Sequence, residues 1–331
     1  MKIARFRLVL APEGKLVLPE HKGSAFRGAF GAALKRVCCP FFYPCAGRAC
    51  IIHPGCVYFQ DFEALRSKSG SEEGDTDSAG ENDEATPKPF VFAPPLDIRR
   101  TFGPEDRISV GVTLVGSAIE HYPYYFAAFD WMGQMGMGSG RGKFRIQAGF
   151  SVGLAGEEPI YDAERKWLRM DGCRTLTVEE IVDTCPPLID RVEVHFLSPM
   201  LLKKDRGIFY VGRGAPRYNP TLPFDLLVRS LFRRLNRLQA LYGGTGKPLN
   251  DPALMRKAAD IAGLDHDLIW QSFERFSSRQ NQKHRLEGFV GQAVYAGDAL
   301  GGFLPYMKFG EYLHVGNKVA FGLGRYQVSF L

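Results

Sequence analysis

The chain has 331 residues, 45% hydrophobic and 24% charged, with a formal charge of +6. That length suits two domains of roughly 150 residues each, and that composition excludes a wholly disordered protein. No run of about 18 apolar residues occurs, so no transmembrane helix and no membrane partner are expected.

The first residues, MKIARFRLVL, alternate charged and apolar positions and lack the apolar centre of a signal peptide. They read as the first β-strand of a soluble, cytoplasmic protein. Lys2–Ala11 is that strand, and Lys22–Val37 follows as a helix with Phe26, Phe30, Ala33, Leu34 and Val37 on one face. A cysteine-rich insertion occupies 38–58. From 67 to 89 the chain is polar, acidic and free of aromatics until its end, which reads as a disordered loop. Arg107–Val115 alternates as a strand, Ala118–Met135 is an aromatic-rich helix, and Lys143–Val152 is a strand after a glycine-rich turn. The second half repeats this rhythm, with strands at Arg191–Leu202, Leu286–Ala296 and Arg325–Phe330. Its helices are Phe224–Tyr242 and Leu300–Gly310. Each half approximates β-α-β-β-α-β, so the expected class is α+β, two tandem ferredoxin-like domains. Their expected spans are 1–187 and 188–331, the junction lying within Gly153–Pro187.

Two compositional details concern the partner. Residues 71–86 hold seven acids and no base; without those seven charges the formal +6 becomes +13. A body with that excess favours a polyanion. Glycine supplies 37 residues, above the usual share of roughly 7%, and clusters beside Arg and Lys. The segment Gly310–Tyr326, GEYLHVGNKVAFGLGRY, sets Gly316, Gly322 and Gly324 among Lys318, Arg325 and aromatic residues. Glycines permit close backbone approach and neighbouring cations neutralise phosphate, although a tight turn would use the same residues. No P-loop pattern is present.

Four stretches together resemble the CRISPR-associated endoribonucleases that process precursor CRISPR RNA, members of the RAMP superfamily. They are GSAFRGAFGAALKRVCC at Gly23–Cys39, GMGSGRGKF at Gly136–Phe144, FERFSSRQNQKHRLEGFVG at Phe273–Gly291, and the Gly310–Tyr326 segment. The resemblance implies paired RRM-related domains. It also implies metal-independent cleavage of CRISPR repeat RNA, leaving a 2′,3′-cyclic phosphate and a 5′-hydroxyl. The product is often kept with other CRISPR effector subunits.

Such cleavage needs a base for the 2′-hydroxyl, an acid for the leaving oxygen and a cation for the phosphate. Of seven histidines, His21 immediately precedes the first helix, where the resemblance places the catalytic His, with Lys22 beside it. His314 leads into the glycine-rich segment. These three are the expected catalytic residues, with ordinary loop or half-buried strand roles as the alternatives. His121 and His195 read as structural. Relatives often carry His within the helix, in RGAFGHAL; here RGAFGAAL puts Ala32 in that place. Three readings stay open: another His acts, the chain binds RNA without cutting it, or a His was replaced on purpose.

Expected RNA contacts are Arg27, Lys35, Arg141 and Lys143; Arg229, Arg233, Arg234 and Arg237 on one helix; and Arg275, Arg279, Lys283 and Arg285 before a strand. Gly316, Lys318, Gly322, Gly324 and Arg325 join them. The helix quartet would repel itself by a few tenths of a kcal/mol per exposed pair unless phosphate intervened. Cys39, Cys45, Cys50 and Cys56 sit in a turn-rich segment that a structural, non-catalytic zinc would hold together, free thiols being the alternative. A zinc-stabilised interaction scaffold that never touches RNA is the reading from a different class.

Overall fold

The structure is a computed structural model. It describes residues 1–41, 50–52, 55–63, 86–186, 189–204, 207–217, 219–244, 248–249, 252–277 and 282–331, with backbone alone at 275–277 and 282–284. Most of the acidic stretch, together with Cys45, His53 and Arg279, lies outside the described residues. The chain divides into two compact units at Thr175/Leu176. That point falls within the stretch expected to hold the junction, ahead of Pro187.

The first unit starts with β1 (Ile3–Pro12), where period-two alternation buries Phe6, Leu8 and Leu10 and turns Arg5 and Arg7 to the other face. A two-residue strand, β2 (Leu16–Val17), precedes α1 (Gly23–Cys38). Then come β3 (Phe90–Ala93), β4 (Thr101–Phe102) and β5 (Ile108–Val115). A single 3₁₀ segment, Gly116–His121, leads into α2 (Tyr122–Met135), whose first turn holds Pro123, a position where no backbone donor is needed. β6 (Phe144–Val152), β7 (Glu157–Asp162) and β8 (Trp167–Leu168) complete the sheet, in the order β3-β5-β1-β6-β7-β8. β1 is antiparallel to both β5 and β6, with a register shift at Val9/Leu10.

α1 buries Phe26, Phe30, Ala33 and Leu34, as its spacing predicts. The Phe30 ring lies 4.8 Å from Phe92, 5.0 Å from Tyr125 and 5.4 Å from Phe129, so α1, α2 and the sheet meet on one aromatic cluster. Gly133 lets α2 close on β6, because a Cβ there would sit 2.2 Å from the Phe144 carbonyl oxygen.

The short β9 (Thr175–Leu176) and α3 (Val178–Val182) follow, α3 opening on a capping box between Thr177 and Glu180. The second unit continues with β10 (Arg191–Met200), the small pair β11 (Lys203–Lys204) and β12 (Gly207–Ile208), and α4 (Phe224–Tyr242). α5 (Pro252–Lys257), β13 (Ala262–Ser277), β14 (Gln282–Ala296), α6 (Leu300–Leu313) and β15 (Tyr326–Phe330) end it. Its sheet order is β13-β14-β10-β15. Counting the principal strands of each unit in chain order, both sheets run second, third, first, fourth. The protein is therefore α+β with two ferredoxin-like units, as expected. β14 starts four residues earlier than expected, and α6 runs three residues further, to Leu313. Among the described residues no helix is long and apolar enough to cross a membrane.

Candidate nucleic-acid interface

In the first unit, three short segments build one corner. β2 pairs with β4, Leu16 opposite Phe102 and Val17 opposite Thr101. On its other side Val17 bridges Ser139, whose backbone N donates to the Val17 carbonyl at 2.9 Å. The glycine-rich turn Gly136–Gly142 is thus held as a third strand-like layer. It demands glycine: Gly136, Gly138 and Gly140 all have φ between +71° and +78°, and a Cβ on Gly138 would lie 2.1 Å from the Val17 oxygen. Gly138, Ser139, Gly140, Arg141 and Lys143 are exposed, and Arg141 itself has φ 49°. This turn therefore presents backbone and cations together, the arrangement that phosphate contact needs.

His21 follows β2 by four residues and is half-exposed, just before α1. Its neighbour Lys22 does not fit the role expected of it. The Lys22 side chain is 0% exposed; its Nζ donates to the Asp97 backbone carbonyl and lies 3.2 Å from the Asp97 carboxylate. A lysine so enclosed and bonded cannot swing to a phosphate. It fastens the loop after β3 to the start of α1. On the outer side of α1, Gly28, Ala32 and Arg36 are exposed at helical spacing, so Ala32 presents a methyl group to solvent. Arg36 lies 5.8 Å from the Trp131 ring, Arg27 lies 5.1 Å from that of Phe62, and Lys35 is half-buried.

The second unit corrects several expectations. His314 follows the last turn of α6 with φ 56°, and is 2% exposed. Its Nδ1 donates to the Leu323 carbonyl at 3.1 Å, and burial pushes its pKa down to about 3. It is a neutral core histidine out of reach of solvent protons, and not a proton-transfer group at an RNA surface. Gly322 and Gly324 are buried as well. A Cβ on Gly324 would lie 1.8 Å from the Val315 oxygen, and one on Gly316 2.6 Å from that of Leu201. These glycines serve the chain's own packing: Val315 N donates to Gly324 O at 2.9 Å, and Gly324 N to Pro199 O at 2.9 Å. Lys318 and Arg325 are half-exposed, and Lys318 Nζ donates to the Arg285 carbonyl at 2.6 Å.

The arginines of α4 separate by face. Arg229 and Arg233 are exposed, and Arg229 Nε lies 3.3 Å from Asp225. Arg237 is half-buried, with Nη1 unbonded among the described residues. Arg234 is buried, and its Nε donates to the Leu313 carbonyl at 3.0 Å, which satisfies the C-terminal end of α6. Arg234 thus leaves the expected RNA-contacting set. Arg275 pairs with His284, and Phe276 with Lys283, in a β13–β14 ribbon that runs past the last β10 pairing, Met200 with Phe289. Exposed Arg285 lies on the same ribbon.

Of the cysteine set, Cys39 donates its thiol to the Phe41 carbonyl at 2.9 Å and Cys56 is buried. Cys50 is half-buried, and Cys45 lies outside the described residues. Among the described residues no group of side chains is gathered to hold a metal.

One constellation was not foreseen. His121 Nδ1 lies 3.1 and 3.0 Å from the two carboxylate oxygens of buried Asp61, which also accepts from the Tyr125 hydroxyl at 3.2 Å. That bond raises the His121 pKa, and burial raises that of Asp61. Nothing in the local sequence signals it, since Asp61 and His121 are 60 residues apart.

The chain was compared with known proteins. Residues 1–172 match the AF_1859_N N-terminal domain, and residues 194–326 match the CRISPR-associated endoribonuclease Cas6 family. No curated protein matches. Among solved structures, the product complex of a Thermus thermophilus Cas6 aligns over 99% of both chains with 16% identity and a TM-score of 0.54. A partial Cas6-RT-Cas1–Cas2 complex aligns over 100% of this chain and 46% of that one, with 11% identity and a TM-score of 0.58.

Proposed function

We propose that this chain, which belongs to the Cas6-like proteins of the RAMP superfamily and carries the AF_1859_N N-terminal domain, binds CRISPR repeat RNA and cuts it without a metal. The observation that carries this reading is the exposed glycine turn with Arg141 and Lys143, which packs on β2 four residues ahead of half-exposed His21. The 2′-hydroxyl of the nucleotide before the cut attacks the adjacent phosphorus as it loses its proton. The P–O5′ bond breaks, and the leaving oxygen takes up a proton. The products are a 2′,3′-cyclic phosphate and a 5′-hydroxyl. His21 is the proton-transfer group, because His314 and Lys22 are enclosed and an imidazole titrates near neutrality. The RNA and other CRISPR subunits are the partners; the Cas6-RT-Cas1–Cas2 structure supports the second kind.

A second reading follows from Ala32. The resemblance implies that relatives often have a histidine where this chain exposes a methyl group, which favours an RNA-holding subunit that does not cut. One experiment separates the two. The protein is incubated in EDTA with the repeat RNA encoded beside its own gene, and product ends are mapped. A cyclic-phosphate product lost in His21→Ala supports cleavage by His21. Tight, salt-sensitive binding with the RNA intact at every pH supports the second reading. Absence of binding overturns both.

A further inference from the structure

Between β3 and β4 the chain makes a loop, Leu96–Arg100, in which five consecutive residues are exposed. Ile98 is 75% exposed and Leu96 44%. These two side chains give the loop an apolar surface beside its charged residues. This loop is fixed from within. Buried Lys22 bonds both the carbonyl and the carboxylate of Asp97. Arg99 is spent on the loop itself: its Nε donates to the Thr101 carbonyl at 2.9 Å, its Nη2 to Asp106 at 2.5 Å, and its guanidinium lies 4.9 Å from the Phe102 ring. The Leu18 N donates to the Arg100 carbonyl at 2.7 Å, which seats Arg100 beside the segment that leads to His21.

Arg100 differs from its neighbour. Its side chain is exposed and has no partner among the described residues. The charge around it is mixed: the Asp97 and Asp106 carboxylates are matched by Lys22 and Arg99, Glu20 and Glu105 are exposed nearby in the chain, and the glycine turn on the other side of β2 carries Arg141 and Lys143.

We propose that Leu96–Arg100 is a pre-set RNA finger: Arg100 takes a phosphate, Ile98 covers the face of the neighbouring base, and Lys22 is the positioning residue that holds the finger out. This rests on the RNA-binding reading above and adds a contact to it. Preorganisation matters here because a loop ordered before binding loses less entropy on contact. An unpaired base offers a flat apolar face, and its phosphate offers the anion. The finger therefore serves a single-stranded stretch of the repeat, since bases within a stem are stacked on one another.

The test uses the full chain and its repeat RNA, with affinity measured across a salt series for wild type, Arg100→Ala, Ile98→Asp and Arg165→Ala. Arg165 is an exposed arginine of the same unit, far in sequence from the finger, and controls for lost charge. Arg100→Ala is expected to weaken binding about tenfold and to lower the salt slope by about 1. Ile98→Asp should weaken it at least as much, and Arg165→Ala by less than about twofold. Both finger positions are on the surface, so folding is not at stake. Lys22→Met gives a further readout: a positioning role weakens binding, and Lys22→Arg restores part of it. Wild-type binding that Arg100→Ala and Ile98→Asp leave unchanged overturns the finger alone. An equal loss in Arg165→Ala also overturns it, the effect then being general charge. Failure of the wild type to bind overturns the RNA reading and the finger with it.

Discussion

The two units share a topology and treat the same sequence signal in opposite ways. Each has a glycine-rich stretch beside basic residues, Gly136–Lys143 in the first and Gly316–Arg325 in the second. In the first, the turn lies on the surface and its glycines are needed for positive φ and for closeness to β2. In the second, Gly322 and Gly324 are enclosed, and the stretch folds back on Val315, Pro199 and Leu201. Glycine next to arginine thus marks an exposed turn in one unit and an enclosed one in the other, and in both the chain's own backbone approaches glycines closely. Only the neighbours in space tell them apart.

Substitution at matched glycines tests that contrast most strongly. Gly324→Ala puts a Cβ 1.8 Å from the Val315 oxygen at φ +71°, while Gly140→Ala meets nothing within 4 Å at φ +78°. The first is expected to cost about 3–5 kcal/mol and the second about 1–2 kcal/mol, the latter from backbone strain alone. Denaturant unfolding measures both, and equal losses would remove the distinction. The next contrast is within α4. Arg234→Ala leaves the Leu313 carbonyl without its donor and opens a void, for roughly 2–3 kcal/mol. Arg229→Ala removes an exposed pair and should change stability by less than about 0.5 kcal/mol.

Much of this was legible in the chain. Elements with strict periodicity, such as β1, α1, α4 and β10, could be placed because burial on one face imposes a period that survives in sequence. The second strand of each unit could not. Phe90–Ala93 has four residues between the acidic stretch and a pair of prolines, too few to show alternation. Ala262–Ser277 is an edge strand that carries charged residues and a register shift between Gly263 and Asp265. For the proposed interface, His21 and Arg141 are candidates from their place in the chain, and both have some exposure. The burial of Lys22, Arg234 and His314 could not be read that way. Each is enclosed by partners 75, 79 and 9 residues away in sequence, respectively.

The histidines extend the contrast to pH. His314 has a depressed folded pKa, about 3, caused by burial. The unfolded chain binds its proton near 6.5, so its contribution is complete above that value and is lost as pH falls from there toward 3. His121 has a raised folded pKa, caused first by its bond to Asp61. Its contribution is complete below about 6.5 and is lost as pH rises through the folded value. Asp61, raised by burial, changes in the same direction as His121, with Tyr125 and Glu120 the other polar groups close by. His314→Leu should therefore flatten the acid side of the stability profile and His121→Ala the alkaline side. Thermal melts across pH check this, and the same slope change from both variants would defeat it.

A small effect on folding is expected at Ala32, and there the comparison between cutting and holding RNA is sharpest. The side chain is exposed beside Gly28 and Arg36, so Ala32→His has room and loses only helix propensity, about 0.5 kcal/mol. A melting temperature close to that of the wild type is the first expectation. The second is chemical. A methyl group neither accepts nor gives a proton, whereas a positioned imidazole contributes about 10²–10⁴-fold to such a transfer. If the scissile phosphate passes this face of α1, Ala32→His raises repeat cleavage by about 10²-fold or more over the wild type, whether the wild type cuts slowly or only holds its RNA. An unchanged cleavage rate with unchanged affinity would mean that the phosphate lies elsewhere. Any cleavage by the wild type would then rest on His21.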